Sequence, residues 1–122
     1  MKKKILSLLL CLAMIFSLTL NVSAASVSDF SDVSQSSWYY SSVKFVTDQG
    51  YMNGTSATTF SPSDEMTRAM FVTVLSREAK AEVDNNVESS FTDVQQGQWY
   101  TGAVEWAHNN GIVTGYSDML FG

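Results

Sequence analysis

The segment Phe30-Ser-Asp-Val-Ser-Gln-Ser-Ser-Trp-Tyr39 returns as Phe91-Thr-Asp-Val-Gln-Gln-Gly-Gln-Trp-Tyr100 without a gap. The same offset of 61 residues then pairs Val43 with Val104, Gly50 with Gly111, Gly54 with Gly115, Ser56 with Ser117 and Phe60 with Phe121. Residues 30–60 and 91–121 agree at 11 of 31 positions, concentrated in Phe, Asp, Trp, Tyr and Gly. Such residue types rarely match by chance, so the chain is built on an internal repeat. A first unit is expected over residues 26–83 and a second over 84–122, the latter truncated and without a second helix.

Each unit opens with Phe-x-Asp-Val and a polar run that favours a turn. Ser36 or Ser37 is then the expected N-cap of a helix from Trp38 to about Gln49, with Trp38, Tyr39, Ser42, Val43 and Val46 on one face. Gly50 stands where a helix C-terminus calls for positive φ. Asn53-Gly54 signals a tight turn, a better reading of Asn53-Gly-Thr55 than a glycosylation acceptor. Residues 55–60 read as extended, and Pro62 punctuates before the next helix. That helix has Thr67 as N-cap and Met70, Phe71, Val74, Leu75 and Glu78 at i, i+3, i+4 spacing through about Lys80. A polar, acidic linker covers residues 81–90. The second unit repeats the first helix from Trp99 to about Asn110, then the turn, then an extended piece over 116–121.

Ahead of the repeats, Lys2, Lys3 and Lys4 precede an apolar run from Ile5 to Leu20 and small residues at Ser23, Ala24 and Ala25. This is the pattern of an export signal over residues 1–25, cleaved after Ala24 or Ala25. The run is too short for a spanning helix and lacks a basic stop-transfer flank. Beyond it, Lys44, Arg68, Arg77 and Lys80 stand against all twelve acids, a net charge of −8 where the whole chain carries −5. Cys11 falls within the signal, so no disulfide staples the exported part. An acidic surface argues against nucleic acid and against loose adsorption to anionic membranes or polymers. An anionic ligand would need a particular basic residue. About 98 residues suffice for one small domain, although about three repeats are commonly needed for a stable array.

The pattern Phe30, Asp32, Val33, Trp38, Tyr39, Val43, Gly50, Gly54, Phe60, Pro62, Thr67, Arg68, Ala69 resembles the S-layer homology repeat, and the second copy carries Phe91, Asp93, Val94, Trp99, Tyr100, Val104, Gly111, Gly115 and Phe121. The resemblance covers nearly all of the chain after the signal. It implies a mainly α fold of helix–loop–helix repeats with short extended segments, normally a pseudo-threefold bundle of three repeats and here incomplete. It also implies a secreted cell-wall anchor whose partner is a secondary cell-wall polysaccharide, often pyruvylated. One departure is plain. The common Thr-Arg-Ala-Glu would form a capping box, but here Met70 replaces the Glu, so one amide of the helix start is expected to lose its partner and Met70 to join the core.

Arg68 is the first candidate for ligand binding, since a guanidinium holds a carboxylate through two parallel hydrogen bonds. The bland alternative is a surface arginine in a first helical turn, where the dipole disfavours a cation. Trp38 and Trp99 either stack on a sugar ring or pack in the core, and the core is favoured because each opens a helix whose apolar face includes it. Asp32 and Asp93 either accept from sugar hydroxyls or brace a turn. Gly54 and Gly115 are expected to supply φ > 0, with close approach of a ligand to the backbone as an added role. The expected site is a groove between repeats, with Arg68 on one wall and Asp93 and Trp99 on the other.

No catalysis is expected. The two aspartates share like environments, whereas acid–base pairs need pKa values driven apart. His108 has no companion ligand, and no nucleophile elbow, zinc helix, phosphate loop or calcium loop occurs, so neither cofactor nor metal is expected. Two alternatives to glycan anchoring stay open: protein–protein assembly with neighbouring surface-layer proteins, and anchorage of a catalytic domain beyond residue 122. Marginal stability is expected, because the second unit lacks a helix of its own to bury Val104, Trp106 and Ile112.

Overall fold

The computed structural model describes residues 25–122; the export signal expected over 1–25 lies outside the described residues apart from Ala25. The fold is mainly α. A 3-10 turn, Val27–Asp29, precedes helices α1 (Tyr40–Asp48), α2 (Arg68–Glu78) and α3 (Thr101–Asn109). Among the described residues there is no strand, only an isolated bridge between Ser117 and Leu120.

Helices α1 and α3 start later than their sequence predicts. The serines before α1 are consumed by turns: Ser37 N–H donates to Ser34 O at 3.0 Å, and Ser36 N–H to Ser34 Oγ at 3.3 Å. Tyr40 N–H then donates to Ser37 O, so Tyr39 holds the N-cap position without a side-chain cap. Serine hydroxyls compete for nearby amides in this way, and the helix begins after the competition ends. Trp38 consequently lies outside α1, and Trp99 lies outside α3, where the Thr101 hydroxyl donates to Gln95 O at 2.6 Å and accepts from Gln98 N–H at 3.1 Å. At the other ends the expectation holds, since Gly50 and Gly111 take φ 71° and 68°.

The two segments expected to be extended are folded back as loops. Thr55 and Ser56 N–H both donate to Thr59 O, at 2.9 and 3.2 Å, and the equivalent Ser117 N–H donates to Leu120 O at 3.3 Å. With no neighbouring strand to pair with, these backbone groups are satisfied locally.

Two apolar clusters hold the molecule. The first gathers Val27, Phe30, Val33 and Val43 of the first repeat, with Phe60 on its edge. The second gathers Val72 of α2 with Phe91, Val94, Ala103, Val104, Ala107 and Phe121 of the second repeat. Helix α2 therefore packs on α3, across the repeat boundary, and makes no comparable contact with α1. Val104 is fully buried as a result, Trp106 is half-buried against the cluster and Ile112 stays exposed. The helix that buries Val104 comes from the preceding unit.

The face of α2 turned to this core is Ala69, Val72, Thr73 and Ser76, at i, i+3, i+4, i+7. Thr73 and Ser76 return their hydroxyls to Ala69 O and Thr73 O, at 2.8 and 2.9 Å, so they are buried with partners. The stripe read from the sequence lies elsewhere: Phe71 is 52% exposed, and Met70 and Val74 flank the core face. Thr67 caps α2 as expected, accepting from Met70 N–H at 3.2 Å. The amide expected to be orphaned is covered after all, because Thr67 N–H points at Met70 Sδ at 3.5 Å, a weak acceptor in place of a carboxylate.

Because Val72 and Val104 lie in one cluster from opposite sides of the repeat boundary, Val72→Ala and Val104→Ala should each lower the unfolding free energy of that cluster by about 2 kcal/mol. Denaturant titration checks this. A transition displaced by one of the two substitutions and not by the other would contradict a core shared across the boundary.

Candidate ligand groove

The first-repeat loop that frames the site and its second-repeat counterpart are held by the same latch. The Asp32 carboxylate accepts Phe60 N–H at 2.9 Å and Ser61 N–H at 2.7 Å; Asp93 accepts Phe121 N–H at 2.8 Å and Gly122 N–H at 2.9 Å. Beside them Ser31 N–H donates to Thr58 O and Thr92 N–H to Met119 O. Both aspartates thus brace loops, and the carboxylates are pulled below their usual value chiefly by the amides of Phe60 and Phe121.

The glycines complete the latch by two different means. At Gly54, with φ 80°, a Cβ would lie 2.5 Å from the Phe30 ring and 2.6 Å from Thr59 O. Gly115 does not adopt positive φ, contrary to expectation. It is required by space alone, since a Cβ would meet Leu120 O at 2.3 Å, Ser117 O at 2.4 Å and the Phe91 ring at 2.7 Å. Close approach of backbone to backbone replaces the left-handed turn there.

Between the repeats lies an open groove of about 400 Å³. One wall is the first-repeat loop Met52–Thr55 with Phe60; the floor is the α2 stripe Met70, Thr73, Val74 and Arg77; Trp99 of the second repeat closes the far side. Trp99 is 54% exposed and Trp38 90%, so neither is core. Each indole stands edge-on to the following tyrosine, at 5.1 Å for Trp99–Tyr100 and 5.5 Å for Trp38–Tyr39. Of the expected site residues, Gly54 and Trp99 come together here. Asp93 and Asp32 are engaged in their loops, Asp32 through the Phe60 amide of the groove wall, and Trp38 does not line the groove.

Arg68 lies elsewhere. Nine residues before Arg77 on the same helix, it is two and a half turns away and faces the opposite side. Its Nη2 donates to Thr114 O at 2.6 Å, and its guanidinium carbon sits 4.7 Å from the Phe121 ring centre and 5.0 Å from that of Tyr116. Arg68 thus spans from the first repeat to the second, while its buried Nε finds no acceptor.

Two groups escaped the sequence reading. Arg77 shares the groove stripe with Met70, a spacing legible in hindsight. Glu105 is a buried acid whose repeat counterpart, Lys44, is exposed and paired with Asp48. It accepts from Ser89 Oγ, Ser90 N–H and Ser90 Oγ at 2.8–2.9 Å, tying the linker to α3. Burial pushes its carboxyl up, but these hydrogen bonds, with help from His108, outweigh burial and leave it lowered. Among the described residues no cluster of His, Cys, Asp or Glu can hold a metal ion, and no helix is long and apolar enough to cross a membrane.

A helical repeat with a cross-repeat core, duplicated aspartate latches and an aromatic-edged groove defines a modular repeat unit. Comparison with known proteins gives the family: the S-layer homology domain matches residues 29–70 and 90–122, and the chain belongs to that family. It is a cell-surface module. The chain is 37% identical to an endoglucanase of Bacillus sp. (strain KSM-635), over 98% of this chain and 13% of that protein. It is 30% identical to an S-layer protein of Bacillus thuringiensis subsp. finitimus, over 93% of this chain and 14% of the relative. With a cellulosome-anchoring protein of Acetivibrio thermocellus the identity is 32%, over 75% and 21% of the two chains. The chain thus spans about a fifth or less of these relatives. No solved structure matches it.

Two predictions follow from the latches and the Arg68 bridge. Asp32, Asp93 and Glu105 have lowered pKa values in the folded protein, so the unfolded chain binds more protons in the acid range. Their contribution to stability is complete above the ordinary values of 3.8 and 4.5 and is lost as pH falls through the lowered ones. The thermal midpoint should drop steeply below about pH 4, and Asp32→Asn with Asp93→Asn should flatten that drop. Arg68→Ala, which removes two ring contacts and a hydrogen bond to the other repeat, should cost about 1–2 kcal/mol of stability by denaturant titration.

Proposed function

We propose that this module anchors its protein to the cell wall by binding secondary cell-wall polysaccharide non-covalently in the groove between the repeats. The observation that carries the reading is the half-exposed Trp99 indole facing the Gly54 loop across an open, largely apolar groove. A ring of this kind offers a flat surface to the carbon face of a sugar, with the Met52–Thr55 loop opposite it. Arg68 supports the site from behind by bridging α2 to the Thr114–Tyr116 loop. The attached cargo differs among relatives, which include an endoglucanase and S-layer proteins, and a catalytic domain outside the present residues is one form it takes in this reading.

A second reading, assembly with neighbouring surface-layer proteins, draws on the exposed Ile112, Tyr116, Met119 and Leu120 around the second-repeat loop. Co-sedimentation with purified Gram-positive sacculi, before and after chemical removal of the secondary polymer, separates the two. Glycan anchoring predicts pelleting that is lost on stripping and weakened about tenfold by Trp99→Ala, equivalent to about 1.4 kcal/mol. Pelleting that survives stripping, or concentration-dependent self-association without any glycan, would favour assembly.

A further inference from the structure

We propose that Asn53 is a modification site, at which the folded chain converts its own asparagine into aspartate and isoaspartate with water as the only co-reactant. The chain holds two Asn-Gly pairs, Asn53-Gly54 and Asn110-Gly111. A following glycine favours the reaction, because no Cβ shields its backbone nitrogen from the preceding side chain. The nitrogen of Gly54 attacks Cγ of Asn53, and the bond from Cγ to the side-chain nitrogen breaks. The proton of the attacking amide leaves with that nitrogen as ammonia. Water then opens the cyclic imide at either carbonyl. One opening gives aspartate; the other reroutes the main chain through the side chain and gives isoaspartate.

The fold frees one pair for this step and locks the other. Asn53 and Gly54 are both exposed, in the loop between α1 and α2. Among the described residues neither the Asn53 side-chain amide nor Gly54 N–H has a hydrogen-bond partner; the loop is closed from Thr55 onward, whose N–H donates to Thr59 O at 2.9 Å. Asn110, by contrast, is the C-cap of α3. Its Nδ2 donates to Trp106 O at 2.7 Å, and Gly111 N–H donates to His108 O at 2.9 Å. The attacking and the leaving nitrogen are thus both held at Asn110 and both free at Asn53. Breaking such bonds adds to the barrier.

The product bears on the loop itself. Isoaspartate inserts a methylene into the main chain directly before Gly54. That residue has no room to spare: a Cβ there would meet the Phe30 ring at 2.5 Å and Thr59 O at 2.6 Å. The new carboxylate also enters a groove whose lining holds no Asp or Glu. Reaction at Asn53 therefore unseats the first-repeat loop from Phe30.

Ageing of the purified protein under mildly alkaline, non-denaturing conditions tests this. Tryptic cleavage after Lys44 and Arg68 leaves Asn53 as the sole asparagine of its peptide, while Asn110 falls in the peptide that follows Lys80. Tandem mass spectrometry reads the mass gained at each, and enzymatic methylation of isoaspartyl groups reads the rerouted product. In the folded protein Asn53 should convert at least about tenfold faster than Asn110. In denaturant the two rates should converge, since the fold alone separates them. The isoaspartyl fraction should unfold at a lower temperature than both the parent and Asn53→Asp, which carries the charge without the added methylene. Equal conversion of both pairs in the folded protein would overturn the proposal, as would conversion of Asn53 only after denaturation. An isoaspartyl fraction as stable as the parent would overturn the consequence drawn for the loop.

Discussion

Burial of Val72 against Val104, Phe91, Ala103 and Ala107 is the contact on which the rest of the structure depends. A helix as short as α2 or α3 is marginal by itself in water and takes its stability from an apolar face pressed on a neighbour. Here the neighbour of α2 is the first helix of the next repeat, and short residues on both sides let the helices meet closely. The arrangement ties the second helix of the first repeat to the second repeat. It also creates the groove, because the α2 stripe beside the buried one is left open between the first-repeat loop and Trp99.

The loop that edges the groove and its counterpart in the second repeat are kept in place by charge-assisted hydrogen bonds rather than by sheet pairing. Asp32 and Asp93 each gather two successive amides at the end of their loop, and a phenylalanine ring seats against a glycine that no larger residue can replace. The same latch serves both repeats although one glycine has positive φ and the other does not. The shared requirement is space beside Phe30 and Phe91. Handedness of the turn is secondary to it.

The two arginines of α2 divide the tasks that a single motif arginine was expected to combine. Arg68 spends its hydrogen bond and its flat faces on the second repeat, and so acts between units. Arg77, on the opposite side of the helix, keeps its donors beside the groove. A desolvated guanidinium stacked on rings and a solvated one at a groove rim differ in environment far more than in chemistry. Helical phase decides which is which.

Much of this was legible in the residues themselves. The repeat register, the mainly helical class, the family, the Thr67 cap and the positive φ of Gly50 all rest on local rules that need no knowledge of neighbours. What tertiary structure decided is which face of each element found a partner. Periodicity marks Met70 and Val74 as readily as Val72 and Ser76, because adjacent stripes of one helix satisfy the same spacing, and only the docking of α3 selects between them. The tryptophans looked like helix-face residues until turns, built on serines before Trp38 and on the Thr101 hydroxyl around Trp99, displaced the helix start beyond them. Val104 seemed to lack cover because sequence order suggests that a repeat buries its own core. The buried surface is supplied instead by the helix that precedes it, a long-range contact with no local signature.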